Sequence, residues 1–183
     1  EDYKSSASRA SVKKKPGEKY LLVDGYNIIF AWEDLRELAE VNIDAARGKL
    51  LDIMSNYQGI RKCQLIVVFD AYRVVGHDTE ILDYQNIHVV YTKEAETADQ
   101  YIEKFAHEHG RKYDVTVATS DGMEQIIIRG QGCALLSARE LLEEVKLADR
   151  TIREEFLERQ QKDRSYLLDS MSKEERKKIR DLE

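Results

Sequence analysis

The sequence predicts an α/β fold in which a central, mainly parallel sheet of five strands is covered by helices on both faces. Three observations support this prediction. Short apolar, β-branched runs alternate with segments of helical spacing, which is the pattern of βαβ units. The only proline is Pro16, so no proline interrupts a later helix or strand. A chain of 183 residues suits one domain with short appendages.

The elements follow from local periodicity. The five strands are expected at YLLVD (20–24), QLIVVFD (64–70), IHVVYT (87–92), DVTVATSD (114–121) and CALLS (133–137). Apolar residues at helical spacing predict an amphipathic helix over 43–57, a second over about 97–109 and a short one through 126–128. The connection 71–86 has no helical period and is interpreted as a flexible loop.

Two appendages flank this pattern, so we expect a domain at 20–149 between a basic linker, 1–19, and a helical extension, 150–183. The linker is rich in Ser and Lys and ends near the Pro-Gly pair. Capping-box patterns at Ser137/Glu140 and Ser172/Glu175 begin a long helix and a second, very polar one. Because the sequence begins at Glu1, we expect a chain that was tagged or cut from a longer protein.

Composition excludes several classes of protein. No apolar run approaches the roughly 18–20 residues of a membrane helix, and the N-terminus lacks the apolar core of a secretory signal. Cys63 and Cys133 form no CxxC pair and lie beside strand-like runs, which favours buried thiols in a reducing, cytoplasmic setting. The net charge is −6 overall, but 20–149 carry 13 basic and 23 acidic residues, hence −10.

Acidic residues follow the predicted strands. Asp24, Asp70 and Asp121 lie at three strand ends, and Asp99 lies in the helix after another. Carboxyl ends of parallel strands meet at one edge of the sheet, where open α/β sheets bind ligands. Carboxylates brought together repel one another unless a cation compensates them, and Mg²⁺ or Mn²⁺ prefers such oxygen ligands. This pattern predicts metal-assisted hydrolysis of nucleic acid.

Simpler interpretations of each acid remain open. An Asp after a strand is commonly a turn former or a helix N-cap, and Asp121 with Glu124 could be a cap and its partner. Other chemistries fit less well, because the chain lacks GxxxxGK[ST] and GxSxG motifs. His107 and His109 lie two apart on a helix, so they point to different faces and do not form a zinc helix.

Five segments together resemble one family: LLVDGYNII (21–29), VVFDA (67–71), KEAETADQYIE (93–103), VATSDGMEQ (117–125) and GQGCALLSARELLEEV (130–145). Over about 20–150 the chain resembles the YacP-like NYN family of PIN-like, metal-dependent ribonucleases. The resemblance implies a PIN-like (Rossmann-like) three-layer fold with an RNase site at the carboxyl edge of the sheet. It also implies Mg²⁺ or Mn²⁺ as cofactor, RNA as substrate and a link to ribosomes or translating mRNA.

Site residues are carried over by motif. The resemblance implies that Asp24, Asp99 and Asp121 are the central metal-binding and catalytic acids and that Asp70 is a further member. Asn27 is expected either to hydrogen-bond a metal ligand or phosphate, or to stabilise a turn. The side chains expected to support the ligands or touch substrate are Glu96, Glu124, Tyr26, Arg73, Lys93 and Arg129. Tyr26 lies two residues after Asp24, and its ring is expected either to stack on an unpaired base or to be simply half-buried, as most tyrosines are. The three cations are expected either to contact phosphates or to be simply solvated.

Two functions remain open at this point. The first is an endoribonuclease that acts on mRNA at or near the ribosome, as a separate protein or as the C-terminal module of a larger one. The second is an RNA- or ribosome-binding module of the same fold that does not cut. The acids favour the first, because a pure binder gains nothing from negative charge that faces phosphate.

Overall fold

A twisted sheet with helices on both faces organises the chain. The structure, a computed structural model, describes residues 17–71 and 79–182. The strands are β1 (Lys19–Asp24), β2 (Gln64–Phe69), β3 (Glu80–Tyr84), β4 (Ile87–Tyr91), β5 (Asp114–Ala118) and β6 (Ala134–Leu136). The helices are α1 (Gly25–Ala31), α2 (Glu33–Val41), α3 (Ile43–Arg61), α4 (Ala98–His109), α5 (Gly122–Gly130), α6 (Ala138–Ser170) and α7 (Lys173–Arg180).

The sheet has six described strands in the order β3-β4-β2-β1-β5-β6. Five of them are parallel, and β3 pairs with β4 in the antiparallel direction at one edge. The prediction of five strands was therefore wrong by one, because part of the connection 71–86 is a strand. Strand β3 is exposed on both faces and has no apolar alternation to reveal it. The rest of the predicted α/β class is confirmed.

The core fills the space between the sheet and the helices on each face. On one face, Leu22 of β1 and Val68 of β2 pack in a cluster with Ile102 of α4 and Ile128 of α5. Alternation of side chains along β1 directs Leu21 to the other face, on which α1 and α3 contact the sheet. The arrangement is a three-layer α/β sandwich, as the resemblance implied.

Helices α1 and α2 occupy a stretch that the periodicity left unassigned. Helix α1 begins directly after β1, where Asp24 is its N-cap. Gly25 follows, and a Cβ at this position would lie 2.3 Å from a ring carbon of the buried Phe69. Glycine therefore lets the first turn of α1 approach the end of β2, which brings two strand ends together.

The described residues divide into two compact units, with the boundary between residues 143 and 144, and most of the predicted basic linker, 1–16, lies outside the described residues. The boundary lies within α6, a helix of 33 residues that begins after Ser137. The Ser137 hydroxyl accepts a hydrogen bond from the Glu140 N–H, as its capping-box pattern predicted. In the second unit, Ser172 and Glu175 form the predicted capping box at the start of α7.

The cysteines and the helices also bear on the classes of protein that the composition excludes. Cys63 and Cys133 are buried, form no disulfide and lie directly before β2 and β6. Among the helices of the described residues, none combines the length and apolar character that a bilayer span requires.

Candidate metal centre

The carboxyl ends of the parallel strands form an edge that contains the switch point of the sheet. From β1 the chain adds β2 and β4 on one side, and it then returns to place β5 and β6 on the other. In open α/β sheets, the crevice beside such a reversal is the usual ligand site. Asp24 ends β1 at this crevice, and α5 begins beyond the end of β5.

Three carboxylates converge at this point. Asp24, Asp99 and Glu124 each offer an oxygen, and these oxygens all lie within 4.8 Å of one another. Asp24 ends β1, Asp99 lies in the first turn of α4, and Glu124 is the third residue of α5. The Thr97 capping box fixes the start of α4. Strand β1 and the helices on the two sides of the switch point thus contribute one carboxylate each.

Glu124 is the most deeply buried of the three carboxylates. It is 2% exposed, and neither of its carboxylate oxygens has a hydrogen-bond partner in the part of the chain that the structure describes. Burial raises the pKa of Glu124 to about 7, the nearby Thr119 hydroxyl opposes the rise, and the Asp99 carboxylate adds to it. A buried carboxyl group without a hydrogen-bond partner needs a cation or a bound proton to compensate its burial.

The pKa of Asp24 is raised for the same reason. Burial is the largest cause that raises the pKa of Asp24 to about 8, followed by the charges of Glu124 and Asp99. The N–H of Asn27 lowers it in part, by donating to Asp24 Oδ1 at 3.4 Å. No Lys, Arg or His among the described residues forms an ion pair with these acids. The donor set, all oxygen and all anionic, fits a hard divalent cation.

The structure places Asp70 and Asp121 beside the cluster, where both cap helices. Asp70 Oδ1 accepts the N–H of Ala98 at the start of α4. Burial raises the pKa of Asp70, that hydrogen bond opposes the rise, and Asp99 adds to it. Asp121 Oδ1 accepts the N–H groups of Met123 at 2.9 Å and of Glu124 at 3.3 Å. Their predicted roles as metal ligands stay predictions.

Asn27 connects two of the strand ends. Its side-chain Oδ1 accepts the backbone N–H of Ser120 at 2.7 Å, in the segment that follows β5. The predicted turn-stabilising role therefore has a definite partner, and the bridge holds the start of α1 against the β5 end. Glu96 lies in the turn before α4. The pKa of the nearby Tyr101 phenol is raised mainly by burial, and the charge of the Glu96 carboxylate raises it further.

The predicted substrate contacts lie in different places. Lys93 is exposed in the turn between β4 and α4, at the carboxyl edge. Arg129 is exposed in the last turn of α5, roughly 12 Å along that helix from Asp121 at 1.5 Å per residue. Tyr26 is half-buried, and its hydroxyl accepts a hydrogen bond from Arg47 at 2.6 Å. Arg73 lies outside the described residues.

Comparison with known proteins decides the family. The profile of the YacP-like NYN domain matches residues 21–183. The chain belongs to this family. The match includes the C-terminal helices, which the motif resemblance left out. Since NYN domains are PIN-like nucleases, membership indicates a nuclease-like, RNA-related role.

Relatives in Bacillus subtilis are similar in sequence and structure. The uncharacterized protein YacP is 44% identical over 133 residues, which cover 72% of this chain and 78% of YacP. The crystal structure of a single-substitution mutant of Rae1 (YacP) has a TM-score of 0.69 at 36% identity and covers 90% of this chain and 99% of its own. A second crystal structure of Rae1 (YacP) has a TM-score of 0.67 at 40% identity, with 80% and 84% covered.

The NYN motifs imply only a supporting role for Glu124, whereas in the structure it is one of the three converging carboxylates. Its spacing of four from Ile128 was the available signal, because that spacing directs both side chains to the buried face of α5. A glutamate on the apolar face of a helix, three residues after a strand-end Asp, is a candidate ligand. Glu103 of α4 also contributes to the raised pKa of Glu124, after burial and nearer groups.

Proposed function

We propose that this chain is a metal-dependent endoribonuclease that hydrolyses RNA phosphodiester bonds at the carboxyl edge of its sheet. The observation that carries the proposal is the convergence of Asp24, Asp99 and Glu124 within 4.8 Å, with both Glu124 oxygens buried and without partners among the described residues. Such a cluster is unfavourable for a module that only binds a polyanion. Family membership supports RNA as the substrate class.

The residues of the chain divide the work of hydrolysis. Asp24, Asp99 and Glu124 would hold a Mg²⁺ or Mn²⁺ ion, which supplies Lewis acidity toward a phosphoryl oxygen and lowers the pKa of water. Hydrolysis forms a bond from the water oxygen to phosphorus and breaks one backbone P–O bond, and a proton from water passes to the departing ribose oxygen. Asn27 keeps the ends of β1 and β5 in register by its hydrogen bond to Ser120. Asp70 and Asp121 fix the first turns of the helices that present the ligands.

We also propose that the enzyme acts on mRNA at or near the ribosome, in the cytoplasm. Residues 20–149 carry a net charge of −10, so their own affinity for RNA phosphates is weak. Recruitment to a large RNA-rich partner would raise the local concentration of substrate. Ribosome cosedimentation of an Asp24→Asn variant tests this part: recovery only in the ribosome-free fraction would contradict it.

Cleavage assays test the nuclease proposal. Free and ribosome-bound mRNA are incubated with the protein in Mn²⁺, in Mg²⁺ and in EDTA. We expect cuts only with metal, and we expect Asp24→Asn and Asp99→Asn to slow cutting by about 100-fold or more, since each removes a ligand.

Glu108→Gln is the matched control, because it removes one carboxylate from the exposed, far end of α4 and changes net charge equally. We expect it to cut at the rate of the unmodified protein. Cutting that persists in EDTA, or that is equal in Asp99→Asn and Glu108→Gln, would overturn the metal-nuclease proposal. RNA binding without cutting under every condition would favour the non-catalytic module.

A further inference from the structure

An aromatic row runs along the carboxyl edge beside the acids. Tyr26 packs edge-on against Phe69, with ring centroids 5.1 Å apart. Phe69 in turn stacks with Tyr91, at 5.7 Å and an interplanar angle of 22°. On the other side, Phe30 lies nearly parallel to Tyr26, at 6.3 Å and 25°. The row therefore joins the ends of β2 and β4 to one face of α1.

The row becomes open to solvent at its last ring. Phe69 is fully buried and Tyr26 is half-buried, whereas Phe30 is 53% exposed. The Tyr26 ring cannot rotate away freely, because Arg47 donates to its hydroxyl at 2.6 Å. Phe30 is thus an exposed aromatic ring that packs against a second ring, Tyr26, whose position is fixed. This differs from a phenylalanine that projects alone from a helix.

The ring lies close to the candidate metal centre. Asp24 is the N-cap of α1, and Phe30 is six residues further along the same helix. At 1.5 Å per residue, the rise between them is about 9 Å. A nucleotide next to a phosphate held at the carboxylates could therefore place its base over this ring.

The observations favour a nucleobase over a protein as the occupant. A protein partner needs a contiguous apolar patch of several hundred Å², whereas one supported ring matches the face of one base. Arg47, which forms an ion pair with Asp44, contributes a cation beside the stack that a phosphate can also contact. Unpaired bases stack on aromatic side chains in this way in many single-strand binders.

We propose that Phe30 is a stacking site for an unpaired RNA base next to the bond that is cut, with Tyr26 and Arg47 as positioning residues. This inference rests on the proposed function for its substrate class. It assigns to Phe30 the base contact that the sequence had suggested for Tyr26. The site favours single-stranded RNA, because a base within a duplex offers no free face.

A fluorescence titration tests the stacking directly. Phe30→Trp, combined with Asp24→Asn to prevent cutting, is titrated with short oligoadenylate and with an abasic ribose-phosphate oligomer of equal length. The natural Trp32 is a constant background, because it is 5% exposed and bonded to the Ala138 carbonyl. Ile60→Trp is the matched control, since Ile60 is 39% exposed at the end of α3 that leads into the opposite edge of the sheet.

We expect saturable quenching of Phe30→Trp by oligoadenylate only, and no quenching of Ile60→Trp. In the active protein, we expect Phe30→Ala and Phe30→Leu to lower kcat/KM by about 5- to 150-fold, and Phe30→Tyr to restore it. Equal quenching by the abasic oligomer, or kcat/KM unchanged in Phe30→Leu, would overturn the stacking site. Base-specific quenching in a protein that never cuts RNA would support the stacking site and refute only the nuclease.

Discussion

Replacing Glu124 with glutamine removes a buried charge while keeping the shape of the side chain. Burial raises the pKa of Glu124 from 4.5 to about 7, so the folded protein holds a proton there that the unfolded chain has released. The stability gained from this proton is complete below pH 4.5 and is lost as the pH rises through 7. Without metal, the unmodified protein therefore becomes less stable between pH 5 and pH 8, whereas Glu124→Gln is spared this loss.

The size of the effect follows from the shift. A pKa raised from 4.5 to about 7 corresponds to roughly 3 kcal/mol of unfolding free energy, of which less than about 1 kcal/mol is already lost at pH 5. We therefore expect the unfolding free energy of Glu124→Gln to gain roughly 2 to 3 kcal/mol on that of the unmodified protein between pH 5 and pH 8. For a chain of this length, that is roughly 5 to 10 °C in Tm. Any pH-independent effect of the amide cancels in this difference.

The assay is thermal or urea unfolding of both proteins in EDTA at pH 5 and pH 8, repeated with Mn²⁺ at pH 8. Mn²⁺ should raise the Tm of the unmodified protein at pH 8 and raise that of Glu124→Gln much less, because one ligand is neutral. The exposed Glu108→Gln variant is the control and should follow the unmodified protein. A gain for Glu124→Gln that is equal at pH 5 and pH 8 would refute the reasoning, since no buried ionisation would then exist.

Three further predictions follow from the same geometry. Mn²⁺ binding at pH 7 should release about one proton per ion, and this number should fall toward zero above pH 9. Calorimetry in buffers of different ionisation enthalpy measures the proton release, and equal heats in all buffers would contradict it. Gly25→Ala should lose about 1–3 kcal/mol in urea unfolding because its Cβ meets Phe69, whereas Gly122→Ala, at the same position of α5 with open space around it, should not. Asp121→Ala should lower the unfolding free energy by about 1 kcal/mol in thermal unfolding, whereas Asp121→Asn should leave it unchanged because Asn also caps helices. Equal losses in the two variants would exclude the capping role.

The parts of the fold that the sequence revealed are those with a strong apolar pattern. Strands β1, β2, β4 and β5 are buried runs, and α3 and α4 have an apolar face at helical spacing. Strand β3 was not predicted because it pairs with β4 along one edge only and its side chains are mostly exposed. Backbone pairing of this kind requires no apolar pattern in the sequence. Helices α1 and α2 are short, so neither gives the several turns that a periodicity argument needs.

The sequence predicted the location of the candidate site better than it predicted which residues form it. The strand-end rule located the edge and brought Asp24 to it, and the helix after the third strand brought Asp99. Which further acids converge depends on side-chain direction within one turn of α5, where Asp121 turns back to cap the helix and Glu124 points inward. Sequence spacing alone does not separate these two, because a cap and its third residue lie on adjacent parts of the same turn.

The convergence of α4 and α5 on the carboxylates has a consequence for the protein without metal. Asp99 and Glu124 both lie in the first turns of their helices, where the peptide dipoles sum to about half a positive charge. This charge is part of the backbone and cannot dissociate, so it offsets part of the repulsion among the acids at all times. We therefore expect chelation to stop the chemistry while the fold persists, unlike small zinc domains that unfold when their ion leaves.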